Sequence, residues 1–455
     1  MKRVAFLSFD WDYKVVNEYY LGMQEYLANR AGVQVVVFNA YGRYYASHTP
    51  RESTFEVFSL YDVNSFDGLL VQGNRTWPPE LRQKLVDEAV ALGKPVVSIN
   101  YELEGAHSVG TDNYQEEYDL VKRVITDRGC KRPAFVNGLR TSVEAQARAQ
   151  GYRDACAELG IADVRFYQAN WQLSAGVVTA KKMLRKPNDL PDVVFCCNDD
   201  LAVGVTQTLV SAGVRVPDDI LVAGFDNREI SRTVSPWITT VDRDYKTVGS
   251  TALDMLVRLM ANEEVDKQEY SPAKHVLTES CGYAGQSNAA REAGLLNADN
   301  ARFGEVFGSF QFAAYGDESL YTLLENCEIF AAKLDCHNAF LVLNEDYLQS
   351  NTLDAPASYG PTSLLMACKG RATTLHCNTE HVYASFPTRN ILPDEVPLHM
   401  PIYTVSPLHH NDACIGTLVT EGVPTSMNKG LVAYFLTTLA CAIELARRGR
   451  LLRHK

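Results

Sequence analysis

The sequence predicts an α/β fold of two lobes, each a doubly wound parallel sheet, followed by an α+β domain. Three observations predict it. β-Branched apolar runs alternate with segments of helical period from Val4 to Ala223, the alternation restarts near Tyr114, and a different order of elements follows residue 284. At 455 residues the chain sustains about three compact units.

The first lobe opens with an apolar strand at Val4 to Ser8, followed by a helix over Asn17 to Arg30 with Tyr20, Met23 and Leu27 on one face. Strands follow at Val33 to Phe38, Gly68 to Val71 and Pro95 to Ile99, the last two separated by a helix over Pro79 to Leu92. The second lobe begins with a helix from Tyr114 to Arg128. Its strands are expected at Pro133–Asn137, Val193–Cys197 and Ile220–Ala223, with helices over Ser142–Leu159 and Leu201–Ala212. Ligands of such sheets sit beyond the carboxyl ends of the strands. There the chain places Asp10-Trp11-Asp12, Gln72-Gly73-Asn74-Arg75, Asn100-Tyr101, Asn137-Gly138, Asn198-Asp199-Asp200 and Asp226-Asn227. Any one of these is ordinary turn or cap chemistry; six together predict a polar cleft.

From Asn198 the chain runs through Val216-Pro217-Asp218-Asp219, Gly224-Phe225-Asp226-Asn227 and Ser235-Pro236-Trp237-Ile238-Thr239-Thr240-Val241. This ordered set resembles the second lobe of LacI/GalR-type regulators. Gly110-Thr111-Asp112-Asn113 and Arg148-Ala149-Gln150-Gly151-Tyr152 are similar to that family's lobe-crossing segment and arginine-bearing helix. The resemblance covers residues 1–284 and implies a periplasmic-binding-protein-like fold, with lobe 1 over 1–110 and 243–265 and lobe 2 over 111–242 and 270–284. It implies a small effector held between the lobes, a sugar by the chemistry of the site, although the same fold accepts purines and other small polar molecules. Arg148, Asn198 and Asp226 would be its polar clamp, Trp171 its aromatic platform, and Asn100, Asp10 and Trp11 its contacts from the first lobe. The chemistry agrees: a guanidinium and a carboxylate satisfy vicinal hydroxyls, and an indole covers the apolar face of a sugar ring.

Repressors of that family carry a helix-turn-helix before the first strand, whereas here that strand begins at Val4. Two readings follow. The chain is a homodimeric sensor signalling to a C-terminal module, or it is the effector-binding part of a LacI-family regulator whose DNA-binding domain is absent from this chain. A sugar-processing enzyme is a third reading, disfavoured because no nucleophile elbow, phosphate-binding glycine loop or metalloprotease helix motif occurs.

Residues 285–318 read as a connecting segment. A helix over Leu320 to Leu334, strands at Ala339–Asn344, Leu398–Pro407 and Ala413–Thr420, and a helix over Asn428 to Leu445 are similar in outline to a GAF-like module spanning 319–446. The tail 447–455 carries Arg447, Arg448, Arg450, Arg453 and Lys455 and reads as a solvated basic helix end. In multidomain sensors such a helix leads on to an output domain such as GGDEF. A net charge of −12 disfavours direct nucleic-acid binding and attraction to anionic membrane. His376-Cys377, His381 and His409-His410 match no zinc spacing, so neither metal nor cofactor is expected. The short apolar run after Met1-Lys2-Arg3 is no secretory signal, no stretch suits a bilayer span, and eleven scattered cysteines suit reduced thiols in a cytoplasmic protein.

Overall fold

The computed structural model describes residues 1–10, 13–41, 52–72, 77–285, 336–352, 355–370, 385–396, 398–422 and 431–453. The chain divides into two compact units: Met1–Gly110 with Tyr245–Glu269 and the described part of Arg302–Lys455, and Thr111–Asp244 with Tyr270–Ala301, itself described to residue 285.

The first unit is built on one eleven-stranded sheet. Its parallel half comprises β1 (Lys2–Asp10), β2 (Val33–Tyr41), β3 (Gly68–Gln72), β4 (Val96–Ile99) and β5 (His107–Gly110). Phe6 pairs with Val37 on one side and Leu70 on the other, so consecutive β-branched and aromatic residues are buried on both faces, as a parallel sheet covered on both sides requires. Helix α1 (Tyr13–Ala28) covers one face and puts Val16, Tyr19, Tyr20, Met23 and Leu27 into that core. Helix α2 (Pro79–Ala91) covers the other with Leu85, Val86 and Ala89.

The second unit is a four-stranded parallel sheet in the order β7 (Arg165–Gln168), β6 (Pro133–Asn137), β8 (Val193–Cys196), β9 (Leu221–Ala223). Helices α3 (Asn113–Arg128), α4 (Val143–Glu158), α5 (Leu173–Leu184) and α6 (Asp199–Ser211) belong to it. Asp112, Ser142 and Asn198 cap α3, α4 and α6, each accepting a backbone N–H with its side chain. A short antiparallel pair joins β10 (Thr240–Asp242) to β12 (Lys274–Val276), and α7 (Tyr245–Met260) returns to the first unit. β11 (Gln268–Tyr270) forms an outer edge of the first sheet.

The C-terminal strands differ from the sequence reading, which drew 319–446 as a domain of its own. β16 (Ile402–His410) pairs in parallel with β2, setting Ile402 opposite Val35 and Val405 opposite Phe38. β17 (Ala413–Glu421), β13 (Asn338–Asn344), β14 (Thr362–Gly370) and β15 (Phe386–Pro387) then continue the sheet antiparallel. One hydrophobic cluster mixes Phe38, Val36 and Leu69 with Phe340, Val342, Tyr403, Val405 and Val419, so a shared core ties the segment to the sheet. Strand pattern alone states that a strand exists and leaves its partner open. The helix expected over Leu320 to Leu334 lies outside the described residues.

After the short helix α8 (Glu345–Gln349), the closing helix α9 runs Leu431–Arg453. The solvated tail expected from 447 onward is corrected at its first residue. Arg447 is 5% exposed, donates to both carboxylate oxygens of Glu444 (2.8 and 3.0 Å) and reaches the Thr352 carbonyl at 2.8 Å. The Tyr347 hydroxyl also donates to Glu444, at 2.6 Å. Burial opposes the charge of Glu444, yet these donors and Arg448 hold its pKa down to about 2. No disulfide joins the cysteines whose side chains are described, and among the described residues no helix is long and apolar enough to cross a membrane.

Candidate functional site

Helix α4 begins just beyond β6, which brings Arg148, at its second turn, to the carboxyl end of the second sheet. The side chain is 1% exposed, and each of its three nitrogens donates to a fixed partner. Nε donates to Asn113 Oδ1 at 2.9 Å, Nη1 to the Cys197 carbonyl at 2.5 Å, and Nη2 to Asp226 Oδ1 at 3.3 Å. The guanidinium carbon lies 3.7 Å from the centroid of Phe225, a stacking that a lysine would not reproduce. Burial works against the charge, but Asp226 leads the neighbours that outweigh it, and the pKa of Arg148 is raised.

Asp226 leaves β9 with a φ of 100°, and Asn227 follows at 49°. Two successive non-glycine residues in this region carry backbone strain, which accumulates where side-chain placement has a use. The Asp226 amide is fixed to the Val241 carbonyl (3.0 Å), and its carboxylate is shared, since Arg243 Nη1 stands 3.5 Å from the same Oδ1. Arg243 also donates to Thr111 Oγ1 (3.2 Å) and Glu144 Oε1 (2.9 Å). Two guanidinium groups and two carboxylates thus balance within one network.

Asn198 and Trp171 form a second pair. Asn198 Oδ1 accepts from the Leu201 amide and its Nδ2 donates to the Trp171 carbonyl, both at 3.0 Å, so its amide caps α6 and anchors the tryptophan backbone. The Trp171 ring lies on Gly138: a Cβ there would come within 2.8 Å of it. The indole is half-buried. Asn100 belongs to the first unit. Its φ is 60°, its Nδ2 donates to the Tyr19 hydroxyl, and its Oδ1 is buried with no hydrogen-bond partner. Asp10 closes β1, and Trp11 lies outside the described residues. Arg148 and Asp226 are therefore brought together, as are Asn198 and Trp171.

Sequence reading passed over Arg243, Glu144 and Asn113. The available signal for Arg243 was an arginine between two aspartates directly after a strand, in Val241-Asp242-Arg243-Asp244. Of two buried acids, sequence reading named Asp199 only within the Asn198-Asp199-Asp200 strand exit and passed over Glu117. Asp199 is fully buried beside Gly224, where a Cβ would come within 2.3 Å of its Oδ1. It accepts from Thr240 Oγ1 (2.7 Å) and the Arg228 amide (2.6 Å), and burial followed by the charge of Asp226 pushes its pKa well up. Glu117, on α3, is 1% exposed with both carboxyl oxygens buried and unpartnered, and burial pushes its pKa up to about 8 against a smaller opposing pull from Arg148.

Burial favours a proton on Glu117 in the folded chain that the unfolded chain releases near 4.5, so between about 4.5 and about 8 this group's contribution to stability falls as pH rises. The slope from this group reaches ~1.4 kcal/mol per pH unit. Glu117→Gln is expected to abolish that part of the slope and to gain on the native chain from pH 5 to 8 in denaturant melts. Parallel curves for the two proteins would show that Glu117 ionises normally.

Residues 123–281 match the periplasmic binding protein-like domain family. The HTH-type transcriptional repressor PurR of Vibrio cholerae serotype O1 (strain M66-2) is 29% identical over 251 residues, 54% of this chain and 70% of that protein. Catabolite control protein A of Priestia megaterium is 29% identical over 213 residues, 46% of this chain and 63% of its own. A LacI transcriptional regulator from a Rhodococcus species shares the fold with a TM-score of 0.51 at 18% identity, covering 61% of this chain and 98% of that one. The structure of a CelR transcriptional regulator–cellobiose complex gives 0.50 at 22%, covering 62% and 84%. About 60% of the chain therefore shares the α/β periplasmic-binding-protein-like fold of these solved structures, and the first of the curated relatives is named as a transcriptional repressor.

Proposed function

We propose, from this LacI-type effector domain, that the chain is the small-molecule-sensing part of a transcription regulator and that its effector is an uncharged polyol, a sugar. The observation that carries the reading is the balanced network around Asp226. Arg148 and Arg243 already meet Asp226 and Glu144, so a charged ligand would have to break a buried pair, whereas hydroxyls can share its remaining lone pairs and N–H groups. The half-buried Trp171 indole, whose backbone Asn198 anchors, supplies an apolar face. Asn198 acts in part through Trp171, whose carbonyl it holds while it caps α6, and keeps one Nδ2 hydrogen for a ligand hydroxyl.

A homodimer is the expected assembly, because a symmetric interface converts a ligand-linked shift into regulation. A GAF-like reading of the C-terminal segment is supported by its antiparallel order β16-β17-β13-β14-β15 closed by α9, and we assign it the output role. DNA recognition would come from a part of the regulator other than the described residues.

A thermal-shift screen against neutral sugars, sugar phosphates and nucleobases tests the site. A sugar at one hundred times its dissociation constant is expected to add about 2.7 kcal/mol by mass action, and Trp171→Leu to lose most of that shift while leaving the unliganded melt nearly in place. Stabilisation by phosphates or nucleobases with none from neutral sugars would sink the polyol reading.

A further inference from the structure

We propose that Glu117 competes with Asp226 for the guanidinium of Arg148 and so acts as a proton-operated positioning residue for the binding site. Asn113, which accepts from Arg148 Nε at 2.9 Å, lies one helical turn before Glu117 on α3, and residues four apart share a helix face. Glu117 is therefore the next side chain along the face that Arg148 already touches. Gly151, three residues after Arg148 on α4, lets the helices close. A Cβ there would come within 2.4 Å of the Tyr114 carbonyl oxygen and 3.4 Å of Glu117 Cβ.

Into this crossing the Glu117 carboxyl projects with neither oxygen hydrogen-bonded. Buried polar groups in folded proteins are almost always paired, so a fully buried carboxyl with no partner, one turn from the Asn113 that accepts from a buried guanidinium, suits a group that changes state. Among the described residues, the titratable groups around it leave Arg148 as the charge to answer it. Those of α4 are Arg148, Tyr152 and Cys156, and those at the end of β8 are Cys196 and Cys197; burial raises the pKa of each thiol and of the phenol, keeping all four neutral. When Glu117 gives up its proton to solvent, a second carboxylate faces Arg148. Its pull opposes that of Asp226, and the arginine is drawn from the β9 exit toward the α3–α4 crossing.

The consequence for a ligand rests on the sensor reading above; the competition does not, because it needs no ligand. The test follows the infrared carbonyl band of the protonated acid on the intact chain, as the difference between Glu117 and Glu117→Gln proteins across pH 5 to 10. The band is expected to vanish with a midpoint of about 8. Asp226→Asn, which frees Arg148 for Glu117, is expected to lower that midpoint by about one pH unit, and Arg148→Met to raise it comparably. Direct repulsion by Asp226 acts with or without Arg148, so the competition further requires that Asp226→Asn shift the midpoint less in the Arg148→Met background than in the native one. A missing band at pH 6, a midpoint unmoved by Asp226→Asn, or a shift equal in the two backgrounds overturns the proposal; should Arg148→Met fail to fold, the Asp226→Asn comparison in the native background decides alone. A failed sugar screen would leave this result standing, and an unmoved midpoint would leave the sensor reading standing.

Discussion

Arg148→Met is expected to destabilise the second unit by about 3–5 kcal/mol, the range found when one partner is removed from a buried ion pair. The substitution keeps most of the aliphatic bulk over Phe225. It leaves the Cys197 carbonyl and Asn113 Oδ1 without their donor, and Asp226 with Arg243 at 3.5 Å as its remaining cation. Because the chain has two units, a single global melt would blur the effect. Hydrogen exchange in β6 and β8 isolates it: those amides are expected to lose two to three orders of magnitude of protection, while β1 and β3 keep theirs. A loss below about 1 kcal/mol would mean that the guanidinium is solvated and the network weaker than its geometry.

A chain ending at Gly285 is expected to aggregate rather than yield a stable first unit. Such a truncation strips β16 from β2 and leaves a parallel edge of Val35 to Phe38 with open backbone groups, a template for pairing with other chains. It also uncovers the face that Phe340, Val342, Tyr403, Val405 and Val419 share with Val36, Phe38 and Leu69. Each such side chain is worth about 1.5–3 kcal/mol when fully buried, and half a dozen together rival the ~5–15 kcal/mol that holds a domain. Size-exclusion chromatography of the fragment against the full chain reads the outcome directly. A monodisperse fragment with native exchange in β1 and β3 would show that the first sheet closes without its C-terminal half.

The strands and helices that the sequence announced were legible because those strands are continuous apolar runs and those helices repeat at 3.6 residues. Arg148 and Asp226 were legible through the family resemblance, and the structure joins them at 3.3 Å. What escaped had physical reasons. β7 alternates half-buried and exposed residues over only Arg165–Gln168, so it reads as loop, and α5 was lost with it. Glu117 sits in Gln115-Glu116-Glu117, where an acidic run reads as a solvated face; only the close approach of α4 at Gly151 buries its last member. The role of Asn198 as cap and anchor depends on where the Trp171 carbonyl falls, which no local pattern encodes.

The pairing of β2 with β16 also sets a clock. Val35 leaves the ribosome some 370 residues before its partner Ile402, an interval of roughly twenty to seventy seconds at ~5–20 residues per second. The second unit draws every one of its described strands from residues 133–276 and can fold well inside that interval. The first unit cannot. Its opening strands wait, unfinished at one edge, until Ile402–Val405 have been made, which makes the nascent chain a client for holding chaperones and makes the arrival of β16 the step that commits the first unit to its native state.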